Sequence, residues 1–409
     1  MDVEPIARRS RHERRVLDLL LDGGPLGRPE LADAVDISKP ALAELIARLM
    51  DAGLVEEVGK SESRKRGPNA MRYAITRRLA LVAGVELQPT CATVRIADLT
   101  GPTLGESVVK ALPDETPTDL ARRALTAALP DGVAITDLAS AVFATPGIVD
   151  SSGDLAYVSG YPSWTSGQLS AVTAGLGVPV RFENDTNLAA LAELRYGVGI
   201  GARDFALVRA DEGIGSAIVL DGRLVRGSSG AAGEIGYLPL GADAPSGVDE
   251  RHYGEGFQSL VGMRALEALA RQCAGTSEVT QLLAGEIGTP SERMVFETEV
   301  ARRFALGIVS ICAVVDPGMV VLTGPVSRSG GDALSARIAA AVAVSSPFRP
   351  EVRVSDLQEI AAVVGAVASA NASARDELFG VAPVYLRSAF SLVRQNIQVA
   401  PTRKDLRIQ

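Results

Sequence analysis

Short apolar runs separated by glycine and turn residues dominate the middle of the chain. In the most regular of these patterns, the runs Phe205–Val208 and Ala217–Leu220 flank Gly213-Ile214-Gly215. Asp221-Gly222 is typical of a two-residue hairpin turn, so we expect a return strand directly after it. A loop of small residues then leads to Glu234, whose carboxylate can accept hydrogen bonds from a hydroxylated ligand. The alternative interpretation is a plain hairpin with a solvated glutamate.

The first 78 residues follow a helical pattern instead. Apolar positions at helical spacing predict three helices, over 8–21, Arg28–Val35 and Lys39–Ala52. Ser38 is a suitable N-cap for the third helix. Two strand-like runs follow, Leu54–Val58 and Met71–Ile75, joined by a polar, basic loop. This order predicts a winged helix-turn-helix domain over residues 1–78.

Polar and basic residues of this domain occur where such a domain meets DNA. The N-terminal end of the third helix enters the major groove, and the hairpin reaches phosphates or the minor groove. The groove candidates are Ser38, Lys39 and Arg48, and the wing candidates are Arg64, Lys65 and Arg66. The alternative is a small helical protein–protein domain whose charges are solvated.

Charge is distributed unevenly along the 409 residues. Residues 1–78 carry 15 Lys+Arg against 13 Asp+Glu, whereas the remainder carries 26 against 36. A mildly basic head on an acidic body fits a small DNA-binding module attached to a larger sensor.

Composition bounds the cellular setting. The three cysteines, Cys91, Cys273 and Cys312, are scattered singly, which argues against a disulfide framework and suits a reducing cytosol. No apolar run reaches the ~18 residues of a membrane span, and no apolar segment follows the charged start of the chain. We therefore expect a cytoplasmic protein with no membrane partner.

Residues 79–380 alternate between strand-like and helix-like segments, as in α/β domains. A strand ending at Phe182 opens onto Glu183-Asn184-Asp185, just before an alanine-rich helix that runs to Tyr196. Such positions are where α/β folds bind ligands. Asp185 can accept a hydrogen bond from a ligand hydroxyl or deprotonate it; the alternative is that Asp185 is the N-cap of the helix. Residues 381–409 form a tail for which the sequence predicts no structure.

Together these motifs resemble the ROK family (repressor, open reading frame, kinase). The most specific matches are Glu183-Asn184-Asp185 with Asn187, Ala232-Gly233-Glu234-Ile235-Gly236, Asp316-Pro317 and Leu322-Thr323-Gly324. The resemblance extends from about Arg11 to Ala374, and the head resembles the winged-helix module of the family's transcriptional regulators. It implies an α/β fold with a two-lobed body of the actin-like ATPase (ribonuclease H-like) class, preceded by the winged helix-turn-helix domain.

The resemblance also implies roles for single residues. In the family's kinases the aspartate at the position of Asp185 is the general base for phosphoryl transfer to a sugar hydroxyl. Asn184 and Glu234 match residues that bind sugar hydroxyls, and Glu255, four residues before a serine, loosely matches another. Tyr237 replaces a zinc-binding histidine of the family and can donate a hydrogen bond to a sugar.

The phosphate loops depart from the family pattern. Glu86 replaces the aspartate of the first loop, Gln88 replaces its glycine, and Pro89 removes an N–H donor. Asp211-Glu212-Gly213 replaces the Gly-Thr-Gly of the second loop. A like-charged pair at 4 Å costs ~1 kcal/mol in water and about 4 at an effective dielectric constant of 20, so we expect no ATP binding and no cofactor.

The family's zinc site and one sugar contact are also missing. Residues 238–258 contain no cysteine, and His252 alone cannot hold a metal, so we expect no metal site. An asparagine of the family's sugar site is replaced by Gly160.

The sequence therefore predicts a transcriptional regulator, a repressor rather than an enzyme. Its effector site would comprise Asn184, Asp185, Glu234, Tyr237 and Glu255. A homodimer, or a tetramer built from dimers, would bind a double-stranded operator. A sugar or sugar derivative would change the orientation of the lobes and hence the spacing of the two heads.

Two alternatives stay open at this point. An active sugar kinase with a DNA-binding head is favoured by Asp185. A regulator without a small ligand, whose body only dimerises or binds a protein, is favoured by Gly160, Tyr237 and the missing zinc ligands.

Overall fold

The computed structural model of the protein describes residues 10–60, 71–76, 79–149, 155–157, 167–239 and 256–379. The chain divides into two compact units. The first contains the residues up to Val82, Ile96–Leu104, and the chain from Asn371 onward; the second contains Ala83–Arg95 and Gly105–Ala370. No helix in the described ranges combines the length and apolar character that a membrane span requires.

The predicted winged helix-turn-helix domain is present in the first unit. Its elements are α1 (Arg11–Gly23), β1 (Leu26–Gly27), α2 (Arg28–Val35), α3 (Lys39–Asp51), β2 (Val55–Lys60) and β3 (Met71–Ile75). Ser10 and Glu13 form a capping box on α1, and Ser38 caps α3. The apolar stripes of the three helices are buried, as is Tyr73 of β3. The two-residue strand β1 was not predicted, because it forms only by pairing with β3.

The rest of the chain supplies the strands and helices of an α/β body. Its strands are β4 (Leu81–Leu87), β5 (Cys91–Asp98), β6 (Thr103–Lys110), β7 (Leu138–Thr145), β8 (Ile148–Val149), β9 (Leu155–Tyr157), β10 (Val180–Asn184), β11 (Phe205–Ala210), β12 (Ile214–Leu220), β13 (Arg223–Val225), β14 (Met319–Thr323) and β15 (Glu351–Val354). Its helices are α4 (Pro117–Ala128), α5 (Gln168–Leu176), α6 (Asp185–Tyr196), α7 (Gln258–Val261), α8 (Met263–Ala274), α9 (Val279–Leu283), α10 (Pro290–Val315), α11 (Pro325–Ser345) and α12 (Ala361–Phe379).

Two five-stranded sheets share one topology. The spatial orders are β10-β7-β4-β5-β6 and β15-β14-β11-β12-β13. In each sheet the strand that comes first in the chain, β4 or β11, is central; the next two strands in the chain lie on one side of it and the last two on the other. In both sheets the fourth and fifth strands are parallel. This repeated order confirms the predicted two-lobed, actin-like body.

The central hairpin forms as the sequence predicts. Strands β11 and β12 pair antiparallel from Phe205↔Val219 to Ala210↔Ile214. Asp221 and Gly222 both adopt positive φ, 51° and 69°, the conformation that a two-residue hairpin turn of the mirror type needs. This turn joins β12 to β13 and sets their register, in which Leu220 lies opposite Arg223.

Candidate functional site

The N-terminal end of α3 is open to solvent. Ser38 accepts a hydrogen bond from the N–H of Ala41 at 3.4 Å, and Lys39 is exposed. Arg48 lies in the last turn of α3, where its guanidinium pairs with Glu13 of α1 at 3.2 Å. The three wing candidates, Arg64, Lys65 and Arg66, lie outside the described residues. The six DNA contacts stay predictions, and the ion pair makes Arg48 the least available of the three that are described.

A second candidate site lies where β10 meets α6. Asn184 is the N-cap of α6, because its Oδ1 accepts from the N–H groups of Thr186 (2.9 Å) and Asn187 (3.0 Å). Its Nδ2 donates to the carbonyl of Gly147 at 2.9 Å. The alternative in which Asp185 caps the helix is wrong: Asp185 is the first helical residue, and its carboxylate is free of that role.

The Asp185 carboxylate is instead held by a buried arginine that the sequence analysis did not consider. Arg209 Nη1 lies 3.0 Å from Asp185 Oδ2, and Arg209 Nη2 lies 3.2 Å from Asp211 Oδ2. The same Nη2 lies 3.7 Å from Glu86 Oε1. The arginine side chain is only 17% exposed. One guanidinium thus joins the candidate base to Glu86 and Asp211, the carboxylates of the two predicted phosphate loops.

The sequence does carry a signal for Arg209. It is the single charged residue of β11, whose other five residues are all buried. A charged residue in a strand of that kind is rare unless it is paired. The prediction that the acidic loops would simply repel phosphate is therefore incomplete, because Arg209 offsets part of their charge.

Burial and charge shift the pKa values of this cluster in different directions. Burial alone would lower the pKa of Arg209, but Asp185, Glu86 and Asp211 outweigh it, and the pKa of Arg209 is raised. Burial raises the pKa of Glu86 to about 7, although the attraction of Arg209 opposes the shift. Gln88 also donates to Glu86, at 3.0 Å. The cluster therefore holds one permanent cation beside a carboxyl group that titrates near neutral pH.

Glu234 reaches this cluster through a glycine turn. Gly233 has φ +93°, and a Cβ there would collide with the carbonyl oxygen of Ser216. Without that Cβ, the Gly233 carbonyl accepts from the N–H (3.2 Å) and hydroxyl (2.6 Å) of Ser216. Burial, and then the charge of Asp185, raise the pKa of Glu234 to about 7.

Of the remaining predicted ligand residues, only Tyr237 lies among the described residues. Tyr237 ends the short 3₁₀ turn Ile235–Tyr237 and is 51% exposed. Glu255, Gly160 and His252 lie outside the described residues. The carboxylate of Glu183, next to Asn184, accepts hydrogen bonds from Arg226 Nε at 2.6 Å and from Asn187 Nδ2 at 2.9 Å. Within the described ranges, no three His, Cys, Asp or Glu side chains are arranged to hold a metal ion.

Comparisons with known proteins follow the same division into head and body. A winged helix-turn-helix DNA-binding model matches residues 9–56, and the ROK family model matches residues 82–373. A putative xylose repressor from Caldicellulosiruptor sp. (strain Rt8B.4) is 24% identical over 380 residues, which cover 86% of this chain and 93% of that protein.

Two solved structures give the corresponding picture in three dimensions. A ROK family transcriptional regulator, a homologue of the E. coli MLC protein, aligns with a TM-score of 0.67 at 19% identity, covering 91% of this chain and 98% of its own. A ROK family glucokinase from Streptomyces griseus, in complex with glucose and AMPPNP, aligns with a TM-score of 0.59 at 25% identity, covering 71% and 99%. With the family model matching most of its length, the chain belongs to the ROK family.

Proposed function

We propose that this ROK protein is a DNA-binding transcriptional repressor that responds to a sugar and does not transfer phosphoryl groups. The winged helix-turn-helix head and the likeness to a xylose repressor along most of the chain support the regulatory role. The main support for the proposed loss of catalysis is the ion pair between Arg209 and Asp185.

The ion pair occupies the Asp185 carboxylate. A general base must accept a hydrogen bond from the attacking hydroxyl before it takes the proton, and Asp185 Oδ2 already accepts one from Arg209 Nη1 at 3.0 Å. Phosphoryl transfer further depends on cations and N–H donors placed around the phosphates. Here the nearest cation is already shared by Asp185, Asp211 and Glu86.

The same cluster suits a hydroxylated ligand. Glu234 and Asp185 are close enough for the charge of Asp185 to raise the pKa of Glu234, and carboxylates are good acceptors for sugar hydroxyls. Binding shifts the regulator only if the sugar has different affinities for the DNA-bound and free states. A repressor of this kind would release its operator when the sugar binds.

A coupled ADP-release assay tests the loss of catalysis. With Mg-ATP and a panel of aldoses that includes D-glucose and D-xylose, we expect no turnover above the background of an Asp185→Asn variant. A ROK glucokinase in the same assay is the positive control. Turnover that disappears in Asp185→Asn would establish the second candidate function, a sugar kinase with a DNA-binding head, which the retained Asp185 and the likeness to a glucokinase favour.

Thermal shift measurements test the sugar. A ligand at 100 times its Kd adds ~2.7 kcal/mol of stability, which raises the Tm measurably. We expect at least one neutral sugar of the panel to raise the Tm of the wild type and to have a smaller effect on Glu234→Gln. A flat response to every sugar and sugar phosphate would favour a body that serves only for assembly.

The salt dependence of DNA binding tests the wing. DNA that the wild-type protein selects from a random pool is the probe. Replacing Arg64, Lys65 and Arg66 together by glutamine should weaken binding and flatten the slope of log K against log salt by roughly 0.9 per lost phosphate contact. The matched control replaces Arg271, Arg302 and Arg337 of the body and should leave the slope unchanged. An unchanged slope in the wing variant would place the wing off the DNA.

A further inference from the structure

The last described helix carries, near its C-terminal end, a buried arginine that does not belong to the candidate sugar site. Arg375 of α12 is 8% exposed. Its Nη1 donates to Asp22 Oδ1 at 2.9 Å, and its Nε and Nη2 donate to the carbonyl oxygen of Leu99 at 3.1 and 2.6 Å. Nη2 also lies 3.4 Å from the carbonyl oxygen of Leu21. All four residues belong to the first unit, together with the DNA-binding head.

These contacts complete the C-terminal end of α1. The last four carbonyls of a helix have no partner within the helix, and a negative charge there opposes the helix dipole. α1 has no basic residue in its last turn, and Asp22 places a carboxylate in that turn. Arg375 supplies both the missing cation and a donor for the Leu21 carbonyl, from a position 353 residues further along the chain.

The other half of α12 lies against the helix that begins at Asp185. A Cβ at Gly365 would collide with the carbonyl oxygen of Leu188 in α6, so the two helix backbones touch there. The buried Glu193 of α6 accepts hydrogen bonds from the hydroxyl of Ser355 and the N–H of Leu357, just before α12. These contacts lie within the second unit, and α12 continues without a break into the first.

We propose that Arg375 is a positioning residue for DNA binding, and that α12 links the helix bearing Asp185 to the winged head. The inference rests on the proposed DNA-binding function. Arg375 does not itself contact DNA; it holds α1, whose Glu13 pairs with Arg48 of α3, in the arrangement that binds the operator. The DNA-binding unit of this chain is thus completed by residues from the end of the family fold.

Binding to the selected DNA tests the positioning role. Arg375→Gln and Asp22→Asn should each weaken binding about tenfold, which corresponds to ~1.4 kcal/mol. The double variant should lose no more than the larger single loss, because both changes break the same ion pair. The control is Arg337→Gln, which breaks the 2.9 Å pair with Glu297 in the second unit and should leave DNA affinity unchanged.

Binding within twofold of the wild type in both variants would overturn the inference, and so would an equal loss in the control. A wild type that selects no DNA would instead overturn the proposed function, and the inference would fall with it. Should Arg375→Gln not fold, Asp22→Asn decides alone, since Asp22 is 30% exposed and the change removes only charge.

Hydrogen exchange separates the link from a purely structural role. In the wild type, saturating DNA should slow exchange in α12, including its first half, and at the amides of Val198 and Leu357 that bond to Glu193. In Arg375→Gln at saturating DNA, protection of α3 should persist while that of α12 and α6 disappears. Equal protection of α12 in both proteins would rule out the link.

Discussion

One arginine sets the electrostatics of the candidate sugar site. Arg209 faces Asp185, Asp211 and Glu86 at 3.0, 3.2 and 3.7 Å, so its positive charge is already paired within the protein. This arrangement fits a protein that binds hydroxyls and leaves phosphate alone.

Removing Arg209 should destabilise the fold strongly. Arg209→Met leaves Asp185 and Glu86 largely buried without their cation, and breaking a buried pair in this way costs ~3–5 kcal/mol. Urea unfolding of both proteins measures the loss. Arg203→Met is the control, because Arg203 pairs with Asp221 while both side chains are at least 70% exposed, and such pairs contribute about 1 kcal/mol or less. Equal losses in the two variants would show that the cluster is not a buried network.

Glu86 should make stability depend on pH in a definite direction. Its folded pKa, about 7, exceeds the ordinary value of 4.5, so its stabilising contribution is full below pH 4.5 and is lost as the pH rises through 7. Relative to the wild type, Glu86→Gln should therefore gain stability between pH 5 and 8, by at most about 3 kcal/mol.

Unfolding measured across this pH range tests the prediction against Glu115→Gln. Hydrogen bonds from Arg123 lower the pKa of Glu115, so its contribution is already complete at pH 5 and should stay constant up to pH 8. A constant difference for Glu86→Gln as well would mean that Glu86 stays ionised throughout.

At the scale of elements, the turn that delivers Glu234 depends on one glycine. In Gly233→Ala a positive φ and a collision with Ser216 add together, whereas Gly201 has a comparable φ of +82° with open space around it. Strain of this kind costs of order 1–3 kcal/mol, so Gly233→Ala should lose that much more stability than Gly201→Ala. It should also abolish any thermal shift by sugars, since Glu234 moves with the turn. Matching stability losses in the two variants would refute the close packing of the turn on β12.

The elements that the sequence predicted well are those specified by local signals. Helical apolar spacing with Ser38 as a cap gave α3, and the Asp221-Gly222 turn gave the hairpin of β12 and β13, because neither depends on distant residues. The edge strands β6 and β15 and the short helix α9 were missed. Their sequences alone do not indicate a strand or a helix, because these elements depend on their neighbours in the fold. The helical segment from Gln258 to Ala274 is two helices, α7 and α8, separated at Gly262.

Side-chain partners far apart in sequence account for what was missed at the sites. The motif around Asp185 identified the end of β10 correctly, but the pattern gave no partner for its carboxylate, and Arg209 meets it only because two sheets bring β10 and β11 together. From the sequence alone, Arg375 is an ordinary charged residue near the end of a helix. Only the fold shows that it pairs with Asp22. Residues of this kind are visible in a sequence only as charges where apolar residues would be expected.

At the scale of the whole molecule, the charge asymmetry and the family assignment favour binding by two copies. A mildly basic head gives one winged helix few phosphate contacts, so a single head binds weakly at physiological salt. Linking two heads through one assembly makes the second contact intramolecular and raises the overall affinity. We therefore expect the operator to contain two half-sites.

The spacing of those half-sites gives the last prediction. Two heads on one face of B-DNA read half-sites one helical turn apart, about 10–10.5 base pairs from centre to centre, or multiples of that distance. Inserting five base pairs between the half-sites of the selected DNA should abolish two-site binding, because it turns one half-site to the opposite face. Inserting ten restores the face and should recover part of the affinity. Binding measured on the three DNAs, with the mass of the complex, tests the assembly; affinity that ignores the insertion would mean that each head binds alone.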